Sequence, residues 1–206
     1  MSNVNDPIET VDTLRNLASS SAPESAPESA SALATGVHDT TASMRNGSAP
    51  SSKQTPQEWV CRPGEFARLP ERPYQELWFE LRTWGWKSLA IVPTRPGTSE
   101  FDVAERLVVV GVSNTNRPMS LISAEGVTVA DTDRTIAMIR AAEARGERVV
   151  VVADSIHDNP ASAPVIRAVN GTVLVVHLGD SGHREVEKTV NAIGRNRVIG
   201  VVTREN

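Results

Sequence analysis

From about Gln57 onward, apolar runs alternate with stretches of helical spacing. "SLAIVP" (Ser88 to Pro93) is unbroken in its apolar character and reads as a buried strand. "DVAERLVVVG" reads as a helix with a β-branched end, although "LVVV" alone also suits a strand. "MSLIS" (Met119 to Ser123) is a short strand. "DTDRTIAMIRAAEARG" puts Ile136, Ile139 and Ala142 on one face, starts with acids and ends at Gly146, so it predicts a helix. "RVVVVAD" is a strand, "APVIRAVNG" a short helix closed by Gly171, and "TVLVVHL" a strand. "REVEKTVNAIG" is a helix with Val186, Val190 and Ile193 inward, and "RVIGVVT" is the last strand.

Continuous apolar strands that alternate with helices predict a parallel sheet covered on both faces. The expectation is one three-layer α/β domain over 57–206 with about five strands. Ligands of such sheets bind beyond the carboxyl ends of the strands. That directs attention to Thr94 to Phe101, Ser123 to Glu125, Asp154 to Asp158, and His177 to Asp180.

Residues 1–56 read differently. "SSSAPESAPESASALA" is Ser-, Ala- and Pro-rich and holds a small APES repeat. It has too few large apolar groups to offset its ordering entropy, which predicts a disordered tail. Ahead of it Ile8, Val11, Leu14 and Leu17 recur every three residues. That spacing suits a short helix, either transient or a docking peptide for a partner.

The 206-residue chain carries a formal charge of -4. It has no basic excess to neutralise phosphates, which argues against a nucleic-acid partner. The single cysteine, Cys61, excludes an intramolecular disulfide and a multi-cysteine zinc site, and reads as an unreactive thiol. "MSNVNDPIETVDTLRNL" has no basic region followed by an apolar core, and no apolar run approaches the roughly 20 residues that span a bilayer. A cytoplasmic protein is the simple expectation.

The loop after the first strand of the apolar series, "PTRPGTSEF", has one well-placed glycine, Gly97. A phosphate-binding loop needs backbone N–H groups around the phosphates, a lysine, and a hydroxyl for magnesium. Here Glu100 falls at the lysine position and Phe101 at the hydroxyl position. Taken alone the loop is a turn shaped by Pro96 and Gly97.

Set among the later elements, the chain from Pro73 onward resembles the cytoplasmic P-loop domain of bacterial tyrosine kinases of exopolysaccharide synthesis, within the MinD/ParA-like class. "PYQELWFELRT" resembles the family's subunit-contact segment, with Glu76 and Arg82 matching and Phe79 in place of the middle Arg. "SLAIVPTRPGTSEFDVAERL" is similar to its strand, Walker A loop and helix. "RPMSLISAEG" resembles its second acidic motif, with Ser123 where the leading Asp is expected and Glu125 at the next acid. "RVVVVADSIHDNPASAPVIRAVNGTVLVVHLG" resembles its Walker B strand, small-residue helix and next strand, with Asp154 as the acid and Ile156 and His157 in place of paired prolines.

The resemblance implies a P-loop fold, and the departures imply lost phosphate chemistry. Tyr74 is the single tyrosine and precedes the apolar strand series that starts at Ser88, so no tyrosine cluster follows the last strand for autophosphorylation. The reading is a non-catalytic, pseudokinase-like scaffold or regulator in exopolysaccharide biosynthesis, without a cofactor. The resemblance also implies a membrane-embedded chain-length or export partner, a peripheral place at the inner membrane, and a homo-oligomer contact at Glu76 and Arg82. The alternative is an ATP- and magnesium-binding ATPase or phosphotransfer protein. Its degenerate site would use Arg95, Gly97, Thr98 and Ser99, with Asp154 on the metal. A third reading is a positioning factor whose tail recruits partners.

Other candidates have simpler explanations. His157 and Asp158 suit a solvated loop better than metal or base work. His177 lies within a strand pattern, where a satisfied core or edge histidine is common. His183 reads as surface, Gly179 and Gly182 as turn residues. Arg184, Lys188, Arg195 and Arg197 read as a solvated face. Trp78, Phe79, Trp84 and Trp86 suit either an interface or packing of a leading helix on the sheet.

Overall fold

A computed structural model describes residues 55–65, 71–179 and 183–205. The tail through residue 54, with the Ile8 to Leu17 pattern, lies outside the described residues.

The described residues form a six-stranded sheet with helices on both faces. Its strands are β1 (Gln57–Cys61), β2 (Ser88–Pro93), β3 (Met119–Ala124), β4 (Arg148–Ala153), β5 (Gly171–Leu178) and β6 (Val198–Glu205). The helices are α1 (Arg72–Arg82), α2 (Phe101–Thr115), α3 (Thr132–Ala144), α4 (Ser162–Ala168) and α5 (His183–Ile193). The strand order is β1-β3-β4-β2-β5-β6, and every pairing is parallel except β1 with β3.

The apolar strands explain themselves. Each alternates its side chains between two faces, and both faces are covered, so neither tolerates polar residues. Leu89 and Ile91 of β2, Val150 and Val152 of β4, and Val173 and Val175 of β5 pack under α1 and α2. Ala90, Val92, Val149, Val151 and Leu174 pack under α3, α4 and α5, with Ile139, Ala142, Val165, Ile166 and Ile193. All the β2 and β4 members of these sets are fully buried.

The "LVVV" stretch is helical. Val108, Val109 and Val110 lie in the middle of α2, where burial against the sheet outweighs their β-propensity. The close seat of α2 on α1 depends on Gly111: a Cβ there would meet Met119 Sδ at 2.4 Å and the Trp78 ring at 2.6 Å.

Two expectations are corrected. The sheet has six strands rather than about five, because Gln57–Cys61 adds an antiparallel edge to β3, with Trp59 opposite Leu121. Gly171 does not close a helix. α4 ends at Ala168, and Gly171 is the first residue of β5, paired with Leu89. The tight fit of Ile199 explains this glycine, since a Cβ would lie 2.6 Å from its Cδ1.

The aromatic leading segment divides. Trp78 is fully buried and Trp86 nearly so, with their rings edge to face at 5.8 Å. Phe79 and Trp84 are exposed. A helix sends adjacent residues in different directions, so Trp78 packs while Phe79 faces water. Among the described residues no helix is long and apolar enough to cross a membrane.

Candidate functional site

The strand order places β4 directly beside β2, so the loop after β2 and the end of β4 share one edge of the sheet. Thr94 begins that loop by donating both its N–H (2.9 Å) and its Oγ1–H (3.1 Å) to the Val175 carbonyl of β5. Gly97 turns the loop with φ of 72°, a conformation costly for any other residue here. Thr98 donates its hydroxyl to the Arg95 carbonyl at 3.0 Å. Ser99 Oγ accepts from the Phe101 N–H at 3.4 Å, a long contact. The Thr98 and Ser99 hydroxyls are thus engaged within the loop, and that of Thr94 with β5.

The one glycine N–H that a phosphate oxygen would seek already has an acceptor. Gly97 N–H donates to Asp158 Oδ2 at 2.5 Å. An internal carboxylate therefore stands where an anionic ligand group would approach the loop.

Glu100 is fully buried. Its Oε1 lies 2.8 Å from His177 Nε2, and its Oε2 accepts from Arg204 Nη1 at 3.1 Å. In this contact an ionised Glu100 accepts and Nε2 of His177 donates. Arg204 also reaches Asp102 Oδ1 at 3.0 Å, in the first turn of α2. β5 and β6 pair His177 with Arg204 in register, which puts both side chains at one place beside the start of α2. Glu100 and Asp102 supply negative charge at the positive N-terminal end of α2, the position a phosphate takes in a nucleotide loop. Asp102 and Glu100 beside Arg204 push its guanidinium above its ordinary value, against the opposing effect of burial.

Asp154, at the end of β4, is engaged as well. Its Oδ2 accepts from the Gly126 N–H and from Asn159 Nδ2, both at 2.8 Å. Asn159 also donates to the Val127 carbonyl at 2.9 Å and accepts from the Ala161 N–H at 3.1 Å. These bonds knit the loops after β3 and β4 together. Glu125 is near its own Ser123, whose Oγ lies 3.3 Å from Oε2.

The residues present do not fit ATP with magnesium. Glu100, where the resemblance expects a lysine, is a buried carboxylate, Phe101 sits edge to face with Trp59 at 5.2 Å, and Asp154 binds backbone and amide. Among the described residues no group of three or more His, Cys, Asp or Glu is arranged to hold a metal.

The remaining sequence candidates separate. Arg95, Gly97, Thr98 and Ser99 share the loop, with Asp154 on the neighbouring strand. Glu76 and Arg82 lie on α1; Glu76 accepts from Arg72 Nε at 2.7 Å across one helical turn, and both Glu76 and Arg82 are exposed. His177 is a satisfied core histidine. His157 is exposed and its Nε2 lies 3.2 Å from Thr189 Oγ1. Arg197 departs from a merely solvated role: its Nη1 donates to the Arg167 and Val169 carbonyls at 2.8 and 3.0 Å, closing the end of α4.

Sequence reasoning missed Arg204 and Asn159. Arg204 had a usable signal: like His177, it is a polar residue at the carboxyl end of a late strand. Asn159 precedes Pro160, a pairing that favours turn initiation.

No protein-family model matches this chain, and no curated protein matches it.

Proposed function

We propose that this chain is a non-catalytic P-loop-like domain that acts as a scaffold or regulator in exopolysaccharide biosynthesis or export. In this reading it is cytoplasmic and held at the membrane by a membrane-embedded chain-length partner. The observation that carries it is Glu100, buried at the lysine position and bonded to both His177 and Arg204. A site that had lost only its lysine would keep an open loop. Here the replacement has become a core polar network, which ties the loop and α2 to β5 and β6.

Further support comes from β4 lying next to β2: the Gly97 N–H is taken by Asp158 of the loop after β4, while Asp154 is held by Gly126 and Asn159. The function then belongs to surfaces. Glu76, Phe79 and Arg82 are exposed on α1, where the resemblance implies subunit contacts.

The test is a titration of the purified protein with a fluorescent ATP analogue and magnesium. No saturable binding sensitive to Asp154 is expected. Tight binding abolished by Asp154→Ala would overturn the reading. A pull-down from membranes with full-length protein is expected to recover a polysaccharide-export component, and to lose it when Glu76 and Arg82 are both changed to Ala.

A further inference from the structure

At the opposite edge of the sheet, where strands β2, β3 and β4 begin, lies an open cavity of about 580 Å³, within the range of small-ligand sites. It goes beyond the scaffold reading, since it shares nothing with the Gly97 loop. Four cations line it: Arg82, Lys87, Arg117 and Arg148. None of the four forms an ion pair among the described residues, though Lys87 lies close enough to Glu143 to help hold its carboxyl low. The two carboxylates in its wall are ion-paired to other cations, Glu143 to Arg140 at 2.7 Å and Glu147 to Arg145 at 2.9 Å.

Arg148 is the least exposed of the four. Its guanidinium carbon lies 5.3 Å from the Trp78 ring centre and 5.0 Å from that of Trp86. The indoles hold the planar cation at the first residue of β4. Arg148 Nη1 and Trp86 Nε1 are buried donors that lack an acceptor among the described residues. Such donors carry a desolvation cost and are usually met by a partner. Burial, with Arg82 and Arg117 close by, pushes the Arg148 guanidinium below its ordinary value.

The simpler explanation is that these cations serve the helix ends, because α1, α2 and α3 all finish at this edge. Each C-terminus offers roughly half a negative charge. The charges do not balance on that account. With Arg140 and Arg145 there are six cations, against Glu143, Glu147, Glu58 and about one and a half charges from three helix ends. A net positive field remains in a concave, polar site.

The geometry points to a binding pocket for a small phosphoryl anion, of the diphosphate or phosphomonoester class, gripped by Arg148, Arg117 and Lys87. Guanidinium forks match phosphate oxygens two at a time, and a neighbouring ammonium adds a point charge.

The experiment is calorimetric titration of the full chain with pyrophosphate at low ionic strength, where screening is weakest. Saturable binding is expected, weakened at least tenfold in the Lys87→Gln/Arg117→Gln double variant, whose changed side chains are exposed. Arg148→Met is expected to lose binding, with circular dichroism showing that it folds. Arg184→Gln, an exposed cation on α5, is expected to leave binding unchanged. No saturable binding, equal binding by the double variant, or equal weakening by Arg184→Gln would overturn the pocket. Citrate binding as tightly as pyrophosphate would overturn the phosphoryl class. An ATP analogue held here is expected to depend on Lys87 and Arg117 but not on Asp154, which separates this pocket from failure of the scaffold reading.

Discussion

His177 Nε2 and Glu100 Oε1 lie 2.8 Å apart, across 77 residues of sequence, in the interior of the domain. The same carboxylate takes a guanidinium from Arg204, the in-register neighbour of His177. One side chain thus joins the start of α2 to the ends of two strands.

Removing that carboxylate leaves a partly buried cation and a buried histidine without it. Glu100→Ala is expected to destabilise the fold by about 3 kcal/mol, the scale for breaking a buried pair from one side. Glu100→Lys puts a lysine where the resemblance to a P-loop expects one, yet places a cation against Arg204. It is expected to destabilise at least as much and to gain no ATP-analogue binding. Urea denaturation and the analogue titration measure both.

Gly111 is a packing residue. Gly111→Ala drives a methyl into Met119 and Trp78, whose ring is fully buried and cannot withdraw. A loss of about 2 kcal/mol is expected, typical of overpacking. A denaturant midpoint below that of the unchanged protein, with the same slope, checks it.

Acid should weaken the fold through its depressed carboxyls. Arg145, with Ser120, holds Glu147 below the usual 4.5 despite partial burial, and Arg106 does the same for Glu71. A depressed carboxyl contributes stability above its unfolded value, and that contribution is lost as pH falls through the folded value. Stability is therefore expected to hold from pH 7 to about 5 and to decline below about 4.5. Glu147→Gln should make the decline shallower, as followed by thermal melts across that range.

Cys61 lies half-buried on β1, and burial with Glu65 and Glu105 nearby pushes its thiol above the ordinary value. The thiolate is the reactive form. Alkylation at pH 8 is expected to be several-fold slower in the folded protein than in urea. Equal rates would mean that β1 is not seated on β3.

The parts of this fold that were legible share one property: their signal is local. "RVVVVA" has nothing polar to offer water, and "TIAMIRAA" repeats at helical spacing. β1 was not legible. "QEWVC" is short and half polar, and its strand character arises from pairing with β3 some sixty residues later. At the site, the loop glycine and Asp154 were identified from their positions after strands. What Asp154 binds was not, because Gly126 and Asn159 come from other loops.

The sequence by itself determined the alternation of strands and helices, the largely parallel sheet, and the presence of a charge, Glu100, just ahead of a helix, since each follows from residue type and short-range spacing. Only the tertiary structure decided what that charge does. Strand order brings His177 and Arg204 to Glu100 from 77 and 104 residues away. A buried carboxylate is costly without partners, and those partners exist only once β5 and β6 have been laid beside β2.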